Sequence, residues 1–464
     1  MTTRHSPLHA LIASCAAAVI VLAGCAGPKV KTVDIAPVQP AAGWRTEGGA
    51  TAPLDSQWWT RFNDPTLVAL VEQALAHNSD VASAAARVRE ARANVELARS
   101  QLFPTLEFSG GRGRSRSVSA FGAPLEQTSA QPQLQAAYEV DLFGRLADTT
   151  SAARSAYIAS AAARDTIRLT VASATASQYI TLLGLDARLT IARQTVTARA
   201  DSLRLATSRD RAGYSPKLEL RQAEAAYDEA AQIVVQLESA IVRAENSLSQ
   251  LVGNVPGAIA RTATVDALTT PPIPQGLPSQ LLERRPDIAQ TAAQLAATDA
   301  SLAAARKRFL PQLRLTGTAG RAFSSLLNDP ITIWSIGGSV LAPLFEGGRL
   351  VAQVEVAASQ RDQAASIYQK TVLVSFREVE DALASVQQAD AQLALERHEV
   401  DTLVETLRLA TNRYREGYSS YLEQLDAQRG LLSAQLTAAS LKSEALTARV
   451  QLYQAMGGGW SASP

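Results

Sequence analysis

Groups able to do chemistry are sparse in this chain, and their spacing limits what that chemistry is. The 464 residues include two cysteines and four histidines. Cys15 lies inside an apolar run from Leu8 to Leu22, and Cys25 directly follows Leu22-Ala23-Gly24. His77 and His398 stand apart in polar helical surroundings, which reads as surface histidines and not as a Cys/His metal site. No GxxxxGKS/T loop, HExxH pair or GxSxG elbow occurs, and Gly110-Gly111-Arg112-Gly113 leaves a dinucleotide fingerprint incomplete. The sequence therefore presents no catalytic constellation, no metal or cofactor site, and no nucleotide site to supply energy. It does present carboxylates at helical spacing. Glu423 and Asp426 are three apart and share a helix face, although a merely solvated face has the same pattern. Glu378, Glu380 and Asp381 read as solvation or pairing between helices. A basic trio, Arg112, Arg114 and Arg116, suits phosphate and equally suits a solvated loop.

The amino terminus frames Cys25. Arg4 and His5 precede the apolar run, and small residues follow it. That order makes a secretory signal, too short to span a bilayer as a mature helix. Leu22 to Cys25 resembles the lipobox of bacterial lipoproteins. The resemblance implies loss of residues 1–24 and a covalent diacylglycerol and N-acyl chain on Cys25. Ala26, where aspartate is absent, resembles outer-membrane sorting. An ordinary signal peptide with a chance cysteine is the alternative. With Cys15 removed, no disulfide is available. The net charge of +1 creates no field for nucleic acid. With 47% hydrophobic and only 5% aromatic residues, and alanine abundant, the composition favours long helices packed closely. Past residue 25 no run of eighteen apolar residues occurs, so a membrane crossing requires strands that close a barrel.

The elements come in two copies. A shift of 207 residues (Asp80 to Asp287) aligns Ala98-Arg99 with Ala305-Arg306 and Pro104 with Pro311. A shift of 204 residues aligns Arg204–Ser215 with Arg408–Ser419, with nine of twelve positions identical. Within each copy Val81, Val88, Val95 and Leu102, then Ile288, Leu295, Leu302 and Phe309, recur every seven residues. Leu182, Leu189, Val196 and Leu203 are answered by Val386, Leu393, Val400 and Leu407. Sustained heptads predict helices supercoiled on neighbours, and residues 145–211 as one helix reach roughly 100 Å at about 1.5 Å per residue. Pro104 and Pro311 stop the helices before them. A period of two then follows. Leu134, Ala136, Tyr138, Val140 and Leu142 oppose Gln133, Gln135, Glu139 and Asp141, while Trp334, Ile336, Val340, Ala342 and Leu344 oppose Ser335, Gly337 and Ser339. This is the pattern of a lipid-facing barrel strand, and a half-buried soluble strand has it too. Each copy supplies one hairpin, about four strands in all, too few to enclose a lumen. Oligomerisation is then required. Arg112, Arg114 and Arg116 fall near the first hairpin tip, with Phe121 to Pro124 as the turn.

The organisation predicted is a lipoprotein signal at 1–24, an anchored segment at 25–60, repeat 1 at 61–253 with a hairpin at 105–142, a Pro-rich linker at 254–280, and repeat 2 at 281–458 with a hairpin at 312–344. The fold class is mainly α with a small membrane β-barrel, built from long antiparallel coiled-coil helices in two tandem repeats.

Six motifs in order, Trp58 to Pro65, Arg285 to Ile288, Phe309 to Pro311, Leu344 to Arg349, Glu378 to Leu383 and Leu425 to Arg429, carry a resemblance over essentially the whole chain. Together they resemble the outer membrane factor family of TolC and OprM, in its lipoprotein (NodT-type) branch. The resemblance implies a homotrimer, a twelve-stranded barrel among outer-membrane lipids, and a helical periplasmic tunnel closed at its lower end. The tunnel would passively conduct drugs or other small molecules delivered by an inner-membrane pump of the resistance-nodulation-division type through a periplasmic adaptor protein. It implies that Gly213, Tyr214, Gly417 and Tyr418 mark adaptor-facing turns. Glu423 and Asp426 match the acidic ring of the periplasmic gate, where three copies would favour cations. Tyr414 and Glu219 match a latch between helices. The family pattern has arginine where this chain has Ser419, which leaves Arg429 as a further latch candidate. A duct for a major-facilitator or type I secretion system, and a secreted coiled-coil scaffold, are the competing readings.

Overall fold

The first helix begins where the sequence supplies a cap. Asp64 accepts from the backbone N–H of Thr66 at 2.8 Å and Leu67 at 3.4 Å, with Pro65 at the first helical position, so two of the orphan donors of α1 (Pro65–His77) are satisfied. The protein is described here by a computed structural model covering residues 32, 38–45, 54–214, 216–274, 276 and 278–461. Cys25 and the signal segment lie outside the described residues.

Element lengths repeat along the chain. Helices α2 (Ser79–Ser100) and α6 (Pro286–Lys307) have 22 residues each. Helices α3 (Arg145–Arg211) and α7 (Arg349–Arg415) have 67 each. Helices α4 (Lys217–Leu251) and α8 (Tyr421–Ala455) have 35 each. A short α5 (Pro278–Arg284) precedes α6. The heptad rows are the inward faces: Val81, Ala84 and Ala98 are buried on α2, Leu182 on α3, and Val386 and Leu393 on α7. Residues 145–211 form one uninterrupted helix, as the heptads predict. Among the described residues no helix is long and apolar enough to cross a membrane.

Two compact units divide the chain, and each takes segments from both copies. One unit comprises Val38–Ala86, Ala162–Ala289 and Lys370–Pro464. Its main core gathers Trp58, Phe62, Leu67, Tyr179, Ile180, Leu248 and Tyr453, with Trp58 stacked on Tyr453 at 5.6 Å. At its centre Asp64 also accepts from the Tyr179 hydroxyl at 2.9 Å and the Thr262 hydroxyl at 3.0 Å. Buried Arg285 joins Asp287, Glu378 and the carbonyl of Ala455, so Glu378 pairs between helices. Glu380 accepts from the Arg45 backbone N–H, and Asp381 stays exposed beside Arg377.

The other unit contains Arg87–Ala161 and Gln290–Gln369. Leu302, Ala305, Val354, Ala357 and Ala358 form its small core. Its sheet is antiparallel throughout. Strands β1 (Thr105–Ser109) and β4 (Gln133–Val140) pair, β4 pairs with β5 (Gln312–Ser324), and β5 with β6 (Ile331–Leu341). Beyond them β2 (Arg112–Val118) pairs with β3 (Pro124–Ala130), which touches the end of β5. Six strands thus stand where four were predicted. The first hairpin is interrupted at Gly110-Gly111 on one side and Gln131-Pro132 on the other, where proline has no N–H for the ladder and glycine stiffens nothing. The strands also stop at Val140 and Leu341, short of Leu142, Ala342 and Leu344. The register is unchanged across the interruption. Ala136 faces Leu106 and Ala130 faces Arg112 in step, while β5 runs continuously past both segments.

That register gives the sheet two unlike faces. Leu106 and Phe108, Leu134 and Tyr138, Leu313, Leu315 and Ala319, Trp334, Ile336 and Val340 share one face by alternation. Gln133, Gln135, Thr316, Thr318, Ser335 and Ser339 share the other, where the hydroxyls of Thr318 and Ser335 meet at 2.7 Å. The apolar face is open: Phe108, Trp334 and Ile336 are each more than 70% exposed.

Candidate functional site

The sequence-matched blocks end in matching turns. At the end of α3 the N–H of Tyr214 donates to Arg209 O at 2.9 Å and that of Gly213 to Asp210 O at 3.0 Å, with Gly213 at φ 74°. At the end of α7 the N–H of Tyr418 donates to Arg413 O at 2.8 Å and that of Gly417 to Tyr414 O at 3.2 Å, with Gly417 at φ 79°. Both are left-handed caps that need glycine at the reversal. Each cap turns a long helix back into its 35-residue partner and pushes a tyrosine outward. Tyr214 and Tyr418 are 86% and 79% exposed among the described residues.

Behind the turns lies a buried cluster of Ala206, Ala223, Ala226, Tyr414, Tyr421 and Leu425. Alanines on α3 and α4 leave room for two tyrosine rings, whose centroids are 5.7 Å apart. The Tyr414 hydroxyl donates to Glu219 Oε1, joining the last turn of α7 to the first turn of α4. Burial, and then the Glu219 carboxylate, push the Tyr414 hydroxyl well above the usual tyrosine range, so it stays a donor. The guanidinium of Arg209 lies 4.9 Å from the centre of the Tyr414 ring and 4.0 Å from Glu219.

The second copy has the matching pair. Arg413, which aligns with Arg209, reaches Glu423 at 3.2 Å, and Glu423 aligns with Glu219. Glu423 is thus exposed but paired within its own chain. Asp426, one turn further on, is exposed and forms no ion pair among the described residues. The structure brings Tyr414 and Glu219 together and leaves Arg429 elsewhere. Arg429 pairs with Glu229 at 3.2 Å. The cation near the Tyr414–Glu219 bond is Arg209, which sequence reasoning passed over. The signal was present, because Arg209 and Arg413 fall in the nine-of-twelve match and each lies ten residues before an aligned glutamate. Arg199 was also missed. It is 3% exposed, donates to Gln428 Oε1, and burial holds its guanidinium below the usual arginine range.

The family model for outer membrane efflux proteins matches residues 70–254 and 277–458, which is most of the chain. The chain is 34% identical over 455 residues to a pyoverdine export outer membrane protein, OpmQ, of Pseudomonas putida, covering 95% of this chain and 96% of the relative. It is 34% identical over 409 residues to a toluene efflux pump outer membrane protein, TtgI, of Pseudomonas putida, covering 87% of each. Among solved structures, the outer-membrane channel OprN superposes with a TM-score of 0.85 at 28% identity, covering 94% of this chain and 99% of that one. The chain belongs to the outer membrane efflux protein family. Its place is the outer membrane and its work is efflux, as the resemblance in its motifs implied.

Proposed function

We propose that three copies of this chain form one passive duct, with their hairpins closing a barrel in the outer membrane and their long helices lining a periplasmic tunnel. The observation that carries this reading is the sheet. It has an apolar face open to its surroundings, a polar face opposite, and free edges at β1 and β6, which each pair on one side only among the described residues. Free edges seek partners, and four runs of chain are too few to enclose a lumen. A coiled-coil scaffold has no use for such a sheet.

In this reading Cys25 carries the acyl chains that tether the assembly. The turns at Gly213-Tyr214 and Gly417-Tyr418 meet a periplasmic adaptor. Tyr414 and Glu219 hold the tunnel end closed, and Glu423 and Asp426 ring its aperture. Cargo arrives from an inner-membrane pump of the resistance-nodulation-division type. Relatives named for pyoverdine, toluene and cations support a conduit whose cargo is chosen upstream. A major-facilitator or type I system would use the same duct.

Conductance of the purified, lipid-bearing protein in a planar bilayer tests the reading. Small cation-selective openings from a heat-stable trimer are expected. A folded trimer that never conducts would remove the duct and restore the scaffold.

A further inference from the structure

Past the apolar band, on the same face of the sheet, the register places four arginines. Even-numbered residues of β1 and β2 share a face, so Arg112, Arg114 and Arg116 continue the row of Leu106 and Phe108. Odd-numbered residues of β5 share it, so Arg321 follows Leu315 and Ala319 and precedes Phe323, which lies opposite Ala130, itself opposite Arg112. The opposite face is independently fixed by Gln127, whose amide donates to the Ser324 hydroxyl at 3.1 Å. A slip of one residue between β3 and β5 would break that bond and turn the three β2 arginines to the other face.

The charge on this part of the face is unbalanced. Glu126 is its one carboxylate, with Arg114 at 2.7 Å and Arg116 at 3.8 Å. Arg112 and Arg321 have no ion pair among the described residues. Asp329 lies in the turn of the second hairpin, not in the paired strands. Arg114 and Arg116 are 74% and 70% exposed at the side chain. Along a strand, residues on one face are roughly 7 Å apart, so the trio forms a comb of planar forks at the sheet end away from the helices. Guanidinium forks bind phosphate oxygens in pairs, and long arginine stems lie along apolar surface while the charge reaches polar ground.

We infer that Arg112, Arg114, Arg116 and Arg321 bind the phosphate groups of outer-leaflet glycolipid around the barrel. The inference rests on the barrel reading above, which puts the helices in the periplasm and this end of the sheet at the outer leaflet. An apolar band ending in a cationic comb matches a lipid with an acyl body and a phosphorylated head. Free phosphate offers the comb its charge but nothing for the band beneath.

Native mass spectrometry of the full-length assembly, titrated with bisphosphorylated lipid A, tests this, with planar-bilayer conductance measured on the same samples. Substituting Gln at Arg112, Arg114, Arg116 and Arg321 should weaken lipid A binding about tenfold or more and leave conductance in place. A lysine set at these positions protects against a folding artefact; it should assemble like wild type and bind between the two. Gln at Arg87, Arg89, Arg92 and Arg99 on α2 should leave binding unchanged. Dephosphorylated lipid A should bind wild type as weakly as the bisphosphorylated form binds the Gln set. Wild type that conducts, with lipid A binding that survives the four Gln substitutions, would overturn this inference alone. Competition of inorganic phosphate at equal concentration with lipid A would also overturn it. Wild type that forms no conducting assembly would overturn the barrel reading and this inference together.

Discussion

The Tyr414 hydroxyl donates a hydrogen bond to Glu219, so the end of the second copy's long helix is tied to the start of the first copy's returning helix. The bond is built inside a cluster of alanines and a second tyrosine, where an unpaired donor or acceptor is costly. On the gate reading proposed above, Tyr414→Phe and Glu219→Gln should each loosen the tunnel end. The expected outcome is more frequent and larger openings in planar bilayers, with Tyr414→Phe, which leaves the Glu219 oxygen unmatched, also costing about 1–3 kcal/mol in thermal melts. Openings identical to wild type in both variants would mean that this bond is structural only.

The same bond has a pH sign. Burial and Glu219 raise the Tyr414 hydroxyl above its ordinary value, so the neutral donor is favoured while this bond is made. Its contribution is whole below about pH 10, the unperturbed tyrosine value, and is lost as pH climbs through the raised value. Wild-type openings should therefore increase on the alkaline side of pH 10, and Tyr414→Phe should be flatter there. A mutant that opens with the same alkaline profile would assign the effect to other groups.

Glu423 and Asp426 share a helix face, but their surroundings differ. Arg413 reaches Glu423 at 3.2 Å, and Asp426 has no ion pair among the described residues. Asp426→Asn should therefore reduce cation preference more than Glu423→Gln does. Arg413→Ala, which frees Glu423, should increase that preference. Reversal potentials in a salt gradient read all three. Equal effects from Asp426 and Glu423 would show that the intrachain pair does not hold in the assembled aperture.

A buried knot makes the strongest stability prediction. Asp64 is 1% exposed and accepts from Tyr179, Thr262 and the N–H groups of Thr66 and Leu67. Tyr179→Phe leaves one carboxylate oxygen unmatched and should cost about 1–3 kcal/mol. Asp64→Ala also removes the cap of α1 and should cost more. Thermal melts of the two variants check the order.

Much of this was readable from residue order. The heptads gave the long helices, since a seven-residue period survives any packing partner. Pro104 and Pro311 marked helix ends because proline lacks the N–H. What stayed hidden depends on contacts between distant segments. The alternation at Leu134 to Val140 announced a strand but not that Pro132 would interrupt it. Arg429 was a candidate because Ser419 stands where the family pattern has arginine, yet it pairs with Glu229. Arg209 lay in plain view inside the repeat, and it is the turn at Gly213 that brings Glu219 of α4 back beside it.

The sheet offers a test with its own control. A Cβ on Gly320 would lie 2.4 Å from Pro132 O, 2.6 Å from Gln133 Cβ and 2.8 Å from Gln133 Cα. These are mostly backbone atoms at the interruption between β3 and β4, and they have little freedom to retreat. A Cβ on Gly317, three residues back along β5 and on the opposite face, would meet only Ser335 O at 3.9 Å, an ordinary contact. Gly320→Ala should push β5 off the β3–β4 junction and cost about 1–3 kcal/mol, whereas Gly317→Ala should be tolerated. Heat-dependent migration of the trimer on gels, with far-ultraviolet circular dichroism of the sheet, separates them. Equal stability of the two variants would mean that the close approach at Pro132 opens without penalty, and the interruption would then be a hinge and not a fixed crossing.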